Sequence, residues 1–191
     1  MPRASAEDAA ATAQRILEVA TAQFAEHGYA ESSADDIARA AGVTRGALYH
    51  HYRSKPGLFA AVASAQQRTI GEAIAAATAG MDAGTGLRAG SHAFLDAITQ
   101  GAAVRVLLVD GPSVLSWDEW RLGDADGPET ELRIGLAEAG VTPALQGALA
   151  AALSGAMNEL ALWLSQRRGD AAAREQAHKA LDALLESVPQ K

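Results

Sequence analysis

The sequence predicts an all-α protein: an N-terminal three-helix helix-turn-helix unit joined by a long helix to a larger helical unit. Three observations predict it. Apolar residues recur at three- and four-residue spacing along most of the chain. Alanine dominates a composition that is 49% hydrophobic with 6 prolines in 191 residues, and such sequence favours helix. Val104 to Val109 is the one strand-like run. No second run exists to pair with it, so it is read as a buried helix ending at Asp110-Gly111-Pro112.

The elements follow in order. Met1 to Ala11 is small and polar and reads as a frayed arm, with helix established by Thr12. Ile16, Leu17, Ala20 and Phe24 then repeat at helical spacing until Gly28, and Tyr29 is placed beneath the motif that follows. Ser33 with Asp36 three residues later forms a capping box, so a short helix starts at Ala34 and turns Ile37, Ala38 and Ala41 inward. Gly42 suits the left-handed residue that ends it. Thr44 caps a second short helix, and Val43 staples the turn. Two short helices across a glycine turn make a helix-turn-helix.

The second of those helices carries the chemistry. At about 100° per residue, Arg45, Gly46, Tyr49 and His50 share the outer face, while Leu48 and Tyr52 turn inward. Arginine reads guanine edges, tyrosine and backbone N–H groups hold phosphates, and glycine lets the backbone approach the groove. Ala38 to Lys55 contains four basic residues and no acidic one. The DNA-binding set expected is Thr44, Arg45, Gly46, Tyr49, His50 and Lys55, with Arg45 reading bases and Tyr49 and Lys55 on phosphates.

Residues Gln14 to Phe59 closely resemble the DNA-binding domain of the TetR family of bacterial transcription regulators. The pieces that carry the resemblance are Arg15-Ile16-Leu17, Ala20, Phe24 to Tyr29, Asp36-Ile37-Ala38, Ala41-Gly42-Val43, Leu48 to Tyr52, Ser54-Lys55 and Leu58-Phe59. They occur in order at the family's spacing and cover about a quarter of the chain. Ala34 departs from it, where the family often has a larger aliphatic residue. The resemblance implies a dimeric regulator of double-stranded operator DNA whose C-terminal domain binds a small-molecule effector. It also implies that the helix after the motif links ligand site to DNA site.

That helix opens at Lys55-Pro56, with proline where its missing N–H is harmless, and runs through Leu58, Phe59, Val62, Ala63, Ile70 and Ile74 to about Ala79. The expected domains are therefore 1–55 and 56–191. Gly80 to Gly86 reads as a break, and Leu87 to about Gln100 as a helix with His92 and Phe94. Gly84-Thr85-Gly86-Leu87-Arg88-Ala89 fits a dinucleotide fingerprint in letters, but a helix precedes it and no βαβ unit surrounds it. Trp117 and Trp120 share one helical face, and with Asp110 to Leu115 they look like one C-terminal subgroup of the family. Gly123 to Pro128 reads as a solvated acidic turn, and Glu129 to Ala139 as a modest helix ending at Gly140.

Two long helices close the chain. Thr142 and Pro143 start one whose stripe is Leu145, Leu149, Leu153, Ala156, Leu160 and Trp163 or Leu164, with a second, flat stripe of Ala148, Ala151, Ala152 and Gly155. Gly169 breaks, Asp170 caps, and Ala173, Ala177, Leu181, Leu184, Leu185 and Val188 line the last helix. The second stripe, and the two-fold sites such motifs read, favour a homodimer through a four-helix bundle. Its expected interface is Leu149, Leu153, Leu160, Leu181 and Leu184.

Composition narrows the function. The net charge of −7 is concentrated after residue 60, where 10 basic side chains face 16 acidic ones, against 6 and 7 before it. The basic footprint for DNA is therefore local. There is no cysteine, hence no disulfide or thiolate chemistry, which suits the cytoplasm. No membrane span, signal peptide, cofactor or metal site is expected, and no catalytic constellation is found among the five histidines. Effector-pocket candidates are His92, Phe94, Trp117, Trp120, Met157, Asn158 and Trp163. Two rivals stand beside a ligand-responsive repressor: a helical ligand-binding or enzymatic protein with a vestigial DNA domain, and a constitutive DNA binder without a ligand.

Overall fold

The computed structural model describes residues 6–116 and 128–188, all helix, turn and loop. Trp117 and Trp120 and the acidic turn lie outside the described residues. The first helix, α1 (Ala6–Glu31), starts a turn and a half before Thr12, which lies inside it and donates its hydroxyl to the Asp8 carbonyl. Acidic Glu7 and Asp8 in its first turn favour that earlier start. Gly28, at φ +79°, redirects the chain within α1, and Tyr29 follows the bend.

The motif comprises α2 (Ala34–Ala40) and α3 (Arg45–Tyr52). Ser33 Oγ accepts from the Asp36 amide at 3.0 Å and donates to the Asp36 carboxylate at 2.6 Å. Asp is one methylene shorter than the usual Glu of a capping box, and here its carboxylate takes the serine hydroxyl. Gly42 takes φ +65°, and Thr44 Oγ1 accepts from the Ala47 amide. Leu48 is fully buried, and the Tyr52 hydroxyl, on the same inward side, donates to the Ala13 carbonyl.

Helix α4 (Lys55–Thr78) closes the three-helix unit, so the expected boundary after residue 55 falls at the first residue of α4. Phe59 meets Phe24 and Tyr29 edge-on, with centroids 5.2 Å and 5.1 Å apart. Ile16, Ile37, Leu48 and Leu58, all fully buried, surround them. Farther along, Ile70 and Ile74 of α4 enter a second packed region with α5 (Ala83–Ile98). Asp82 caps α5, so the expected break is shorter than Gly80 to Gly86, and Thr85 and Gly86 lie in the first turn of the helix.

Val104–Asp110 is helical, but as a π-helix, and it does not end at Gly111-Pro112: it runs directly into α6 (Gly111–Val114). Proline is tolerated because it occupies the first turn of α6. Helices α7 (Pro128–Glu138), α8 (Pro143–Ser165) and α9 (Ala171–Glu186) complete the fold. Thr142 precedes α8 in extended conformation but makes no side-chain cap; Asp170 caps α9 twice, at the Ala172 and Ala173 amides.

Two of the five interface leucines are used otherwise than expected. Leu181 is fully buried and Leu153 is 5% exposed within the single protomer, so both belong to its own core. Leu149 and Leu160 are half-buried, and Leu184 is exposed. Among the described residues α8 alone is long and apolar enough to cross a membrane, although 28% of its most apolar window is buried. Its inward stripe of Ala150, Leu153, Met157, Ala161 and Leu164 packs into the core.

Phe24→Ala should destabilise the protein by about 3–5 kcal/mol, because it empties the aromatic centre of the N-terminal unit. The shift of the urea-unfolding midpoint measures it.

Candidate nucleic-acid interface and ligand cavity

The outer face of α3 is assembled from neighbours on α2. Arg45 is exposed, and its Nη1 donates to the Asp35 carboxylate at 2.8 Å. The guanidinium also lies over the Tyr49 ring, 5.3 Å from its centroid. The charge of Asp35, then Tyr49, raises the Arg45 proton affinity further, so it stays cationic at any working pH. Arg39 pairs with Asp36, whose carboxyl is held below its ordinary value first by the Ser33 hydroxyl and then by Arg39. His50 and Gly46 are exposed, and Tyr49 is half-buried against the core. Lys55 sits beside this face: its Nζ lies 4.2 Å over the Tyr29 ring and 3.5 Å from the Ala30 carbonyl.

Helix spacing brings Thr44, Arg45, Gly46, Tyr49 and His50 together on α3 and its cap, with Lys55 on the next helix. The sequence did not reveal that Asp35 and Asp36 hold two of the four cations. Asp36 meets Arg39 three residues along α2, while Asp35 meets Arg45 across the turn, ten residues away.

A cavity of about 470 Å3 opens among α4, α5, the π-helix, α7 and α8. Its wall is mostly apolar, from Ile70, Ile74, Phe94, Ile98, Leu107 and Met157, with Gln67, Ser154 and Asn158 among its polar groups and the carboxylates Asp82, Glu131 and Glu138 also lining it. Phe94, Met157 and Asn158 of the expected pocket set line it. His92 and Trp163 do not. Trp163 stacks under Arg167 at 4.1 Å near the end of α8. His92 faces α9, where it joins a run of hydrogen bonds: Asp182 to His92 at 2.7 Å, His92 to His178 at 2.6 Å, and His178 to Asp96 at 2.9 Å. His92 is half-buried, and its hydrogen-bond partners lie on the neighbouring helix α9. Arg88 and Arg174 close the ends of the run on Asp182 and Asp96. Among the described residues no group of side chains is arranged to hold a metal ion.

Part of the cavity wall was assigned in the sequence to another surface, since Ala151 and Gly155 belong to the flat stripe expected at the dimer contact. Gly86 and Gly90 on α5, and Ala151, Ser154 and Gly155 on α8, are small residues at one-turn spacing on faces that otherwise pack, and all five line the space.

Comparison with known proteins now decides the family. Residues 16–62 match the family described as bacterial regulatory proteins, tetR family, and residues 84–188 match the tetracyclin repressor-like C-terminal domain. The chain belongs to the TetR family. The HTH-type transcriptional regulator AcrR of Shigella flexneri is 42% identical over 72 residues, 38% of this chain and 34% of that protein. The probable acrEF/envCD operon repressor of Escherichia coli K12 is 46% identical over 59 residues, 31% of this chain and 27% of that protein. These matches span about a third of each curated relative's length or less. TetR-family structures match over nearly the whole chain. A regulator from Pectobacterium atrosepticum has a TM-score of 0.75 at 28% identity, covering 98% of both chains. PfmR from Thermus thermophilus has a TM-score of 0.69 at 27% identity, covering 92% of this chain and 100% of that one.

The Asp182 carboxyl is held below its ordinary value of 3.8, chiefly by the hydrogen bond from His92, with Arg88 adding to it against the opposing effect of burial. A carboxyl lowered in the folded state stabilises it fully above the unfolded value, and that contribution disappears as pH falls through the lowered one. The stability gap between wild type and Asp182→Asn, measured by urea unfolding, should therefore be widest near neutrality and close as pH drops below 3.8.

Proposed function

We propose that the protein is a ligand-responsive repressor that binds a two-fold DNA site as a homodimer and releases it when a small molecule fills the cavity. The observation that carries this reading is the span of α4. Its first residue, Lys55, follows α3 after two intervening residues and lies over the Tyr29 ring of the same unit, and its later turns, through Ile70, Ile74 and Thr78, wall the cavity. One rigid helix therefore touches both places at which the two ligands would bind. The repressor names of similar proteins agree with this reading. A cavity of this size weighs against the constitutive DNA binder.

The roles follow from position. Arg45, in the first turn of α3, reads a base edge; Tyr49, Lys55 and the capped amides behind Thr44 hold phosphates; Gly46 allows close approach, and His50 flanks them. Residues 1–55 form the DNA-binding domain and 56–191 the ligand-binding and dimerisation domain, in a cytoplasmic protein with no catalytic role. The effector is a largely apolar molecule with groups that hydrogen-bond to Gln67, Ser154 or Asn158, flanked by Phe94 and Met157.

The dimer surface is the uncovered face of the last two helices. Leu145, Ala148 and Ala152 on α8, and Ala180, Ala183 and Leu184 on α9, are exposed and uncharged. Small side chains there let helices approach closely, and Leu149 and Leu160 border the face. This replaces Leu153 and Leu181, which the protomer has already buried.

Two experiments test the reading. Log affinity for a duplex enriched from random DNA should fall linearly with log salt, with a slope of about −0.9 for each phosphate engaged. Arg45→Ala should cost about 1–3 kcal/mol on that duplex and relax one base position per half-site, whereas Lys55→Ala should weaken all sequences alike and lower the slope. A flat salt titration would sink DNA binding altogether. For assembly, the double variant Ala152→Glu with Leu184→Glu should sediment as a monomer that keeps its helical circular dichroism; a folded dimer would remove this surface from consideration.

A further inference from the structure

His92 on α5 meets His178 on α9, and the hydrogen bonds around the two rings fix their protons. The Nδ1 atoms are 2.6 Å apart. The ring centroids are 4.8 Å apart, and the planes differ by 18°. Rings stacked face to face cannot bring two nitrogens so close. The rings therefore lie edge to edge, with the line between the Nδ1 atoms close to both ring planes. That is the geometry of one N–H pointing at one lone pair.

The outer nitrogens complete the count. His92 Nε2 lies 2.7 Å from Asp182 Oδ1, and His178 Nε2 lies 2.9 Å from Asp96 Oδ1. Each carboxylate also accepts from an arginine, Arg88 on Asp182 and Arg174 on Asp96. An ionised carboxylate only accepts, so both Nε2 atoms carry a proton. One more proton fits between the Nδ1 atoms. The four ring nitrogens thus hold three protons, and the pair carries a single positive charge. With a fourth proton, two N–H groups would point at each other; with only two, two lone pairs would.

Other charged groups stand at the margins of the pair. On α9, Glu175 and Lys179 pair with each other in solvent. Arg167 and Arg168, just beyond α8, share a groove with Asp96 and Arg174. The carboxylates Asp82, Glu131 and Glu138 lie on the cavity side of α5, which His92 does not line.

We propose that the histidine pair is a clasp between α5 and α9, closed by one shared proton and opened by a second proton or by loss of the first. The two rings then titrate as a unit. In the unfolded chain they titrate separately, and at about pH 6.5 they hold between them the same one extra proton. Below that pH the unfolded chain binds more protons than the clasp, so stability falls as pH falls; above it the unfolded chain binds fewer, so stability falls as pH rises. The clasp is tightest near the crossing point and loosens on both sides. It acts on α9, which carries half of the face proposed for dimerisation, but it depends on neither the dimer reading nor the ligand reading.

The test compares the full-length wild type with the double variant His92→Gln and His178→Gln, by urea unfolding at one protein concentration from about pH 5 to about pH 8, a window above the ordinary carboxylate range. His27, His50 and His51 are present in both proteins and cancel. The ratio of the two folding equilibrium constants, per chain, should peak at about pH 6.5 and be about eightfold smaller at about pH 5 and about pH 8, the factor that two independent histidines give against one fixed proton. A ratio that rises steadily with pH means two neutral rings, and one that falls steadily means two charged rings. A flat ratio means that the rings titrate in the fold as they do in the unfolded chain. Each of these three outcomes overturns the proposal. Nitrogen NMR of the wild type decides even if the variant does not fold. One proton coupled to both Nδ1 atoms, with ring signals that hold their positions across about one pH unit either side of about pH 6.5, supports the clasp. Separate titration of either ring with a midpoint there overturns it.

Discussion

The structure depends on a single packing event, the edge-on meeting of Phe59 with Phe24 and Tyr29. Phe59 is one turn into α4, so burying it fixes the direction in which a helix about 36 Å long leaves the N-terminal unit. Everything downstream is laid against that helix. Ile70 and Ile74 meet α5, and α5 in turn meets α7, α8 and α9 through Leu87, Phe94, Leu95 and Ile98. The same three rings hold Tyr29 where Lys55 can lie over it, so the core of the small unit also orients a cation on its surface.

Charge is handled locally throughout. The chain carries −7 overall, yet its DNA-facing stretch is basic, and its carboxylates are distributed to restrain the cations. Asp35 and Asp36 hold Arg45 and Arg39; Asp96 and Asp182 hold Arg174 and Arg88 while bracketing the histidine pair. The first set keeps long side chains ordered at a recognition surface. The second ties α9 to α5, the helix whose other face lines the cavity.

What the sequence made legible was local. Ser33, Gly42, Thr44 and Asp170 each act on backbone within three residues, and each was readable from type and spacing, whereas the Ser54 cap of α4 was not read. Leu48 could be turned inward because its helix has one period and one core. Side chains whose partners are distant in sequence were not readable. His92 had an unidentified need for a partner, and that partner lay 86 residues away on another helix. Leu181 stood on an apolar stripe that both a protomer core and a dimer would accept, and spacing alone does not choose between them. The π-helix shares its apolar run with an α-helix; only the two-sided demand of the cavity and the α1 bend, where Asp110 accepts from the Tyr29 amide, distinguishes it. Trp117 and Trp120, the strongest aromatic signal in the C-terminal part, lie outside the described residues.

If Arg45 has the base-reading role proposed for it, its pairing with Asp35 bears on how it behaves before it meets a base. A guanidinium already satisfied by a carboxylate has little to gain from random duplex, where a phosphate merely replaces one anion with another. A correctly placed guanine, offering two acceptors in the plane of the fork, is a better exchange. Both side chains are more than half exposed, so the pair adds only a small internal competitor to whatever the groove discriminates. On the proposed role of Arg45, the protein would search on phosphate contacts with Arg45 still paired to Asp35, and the pair would open where a base offers both acceptors.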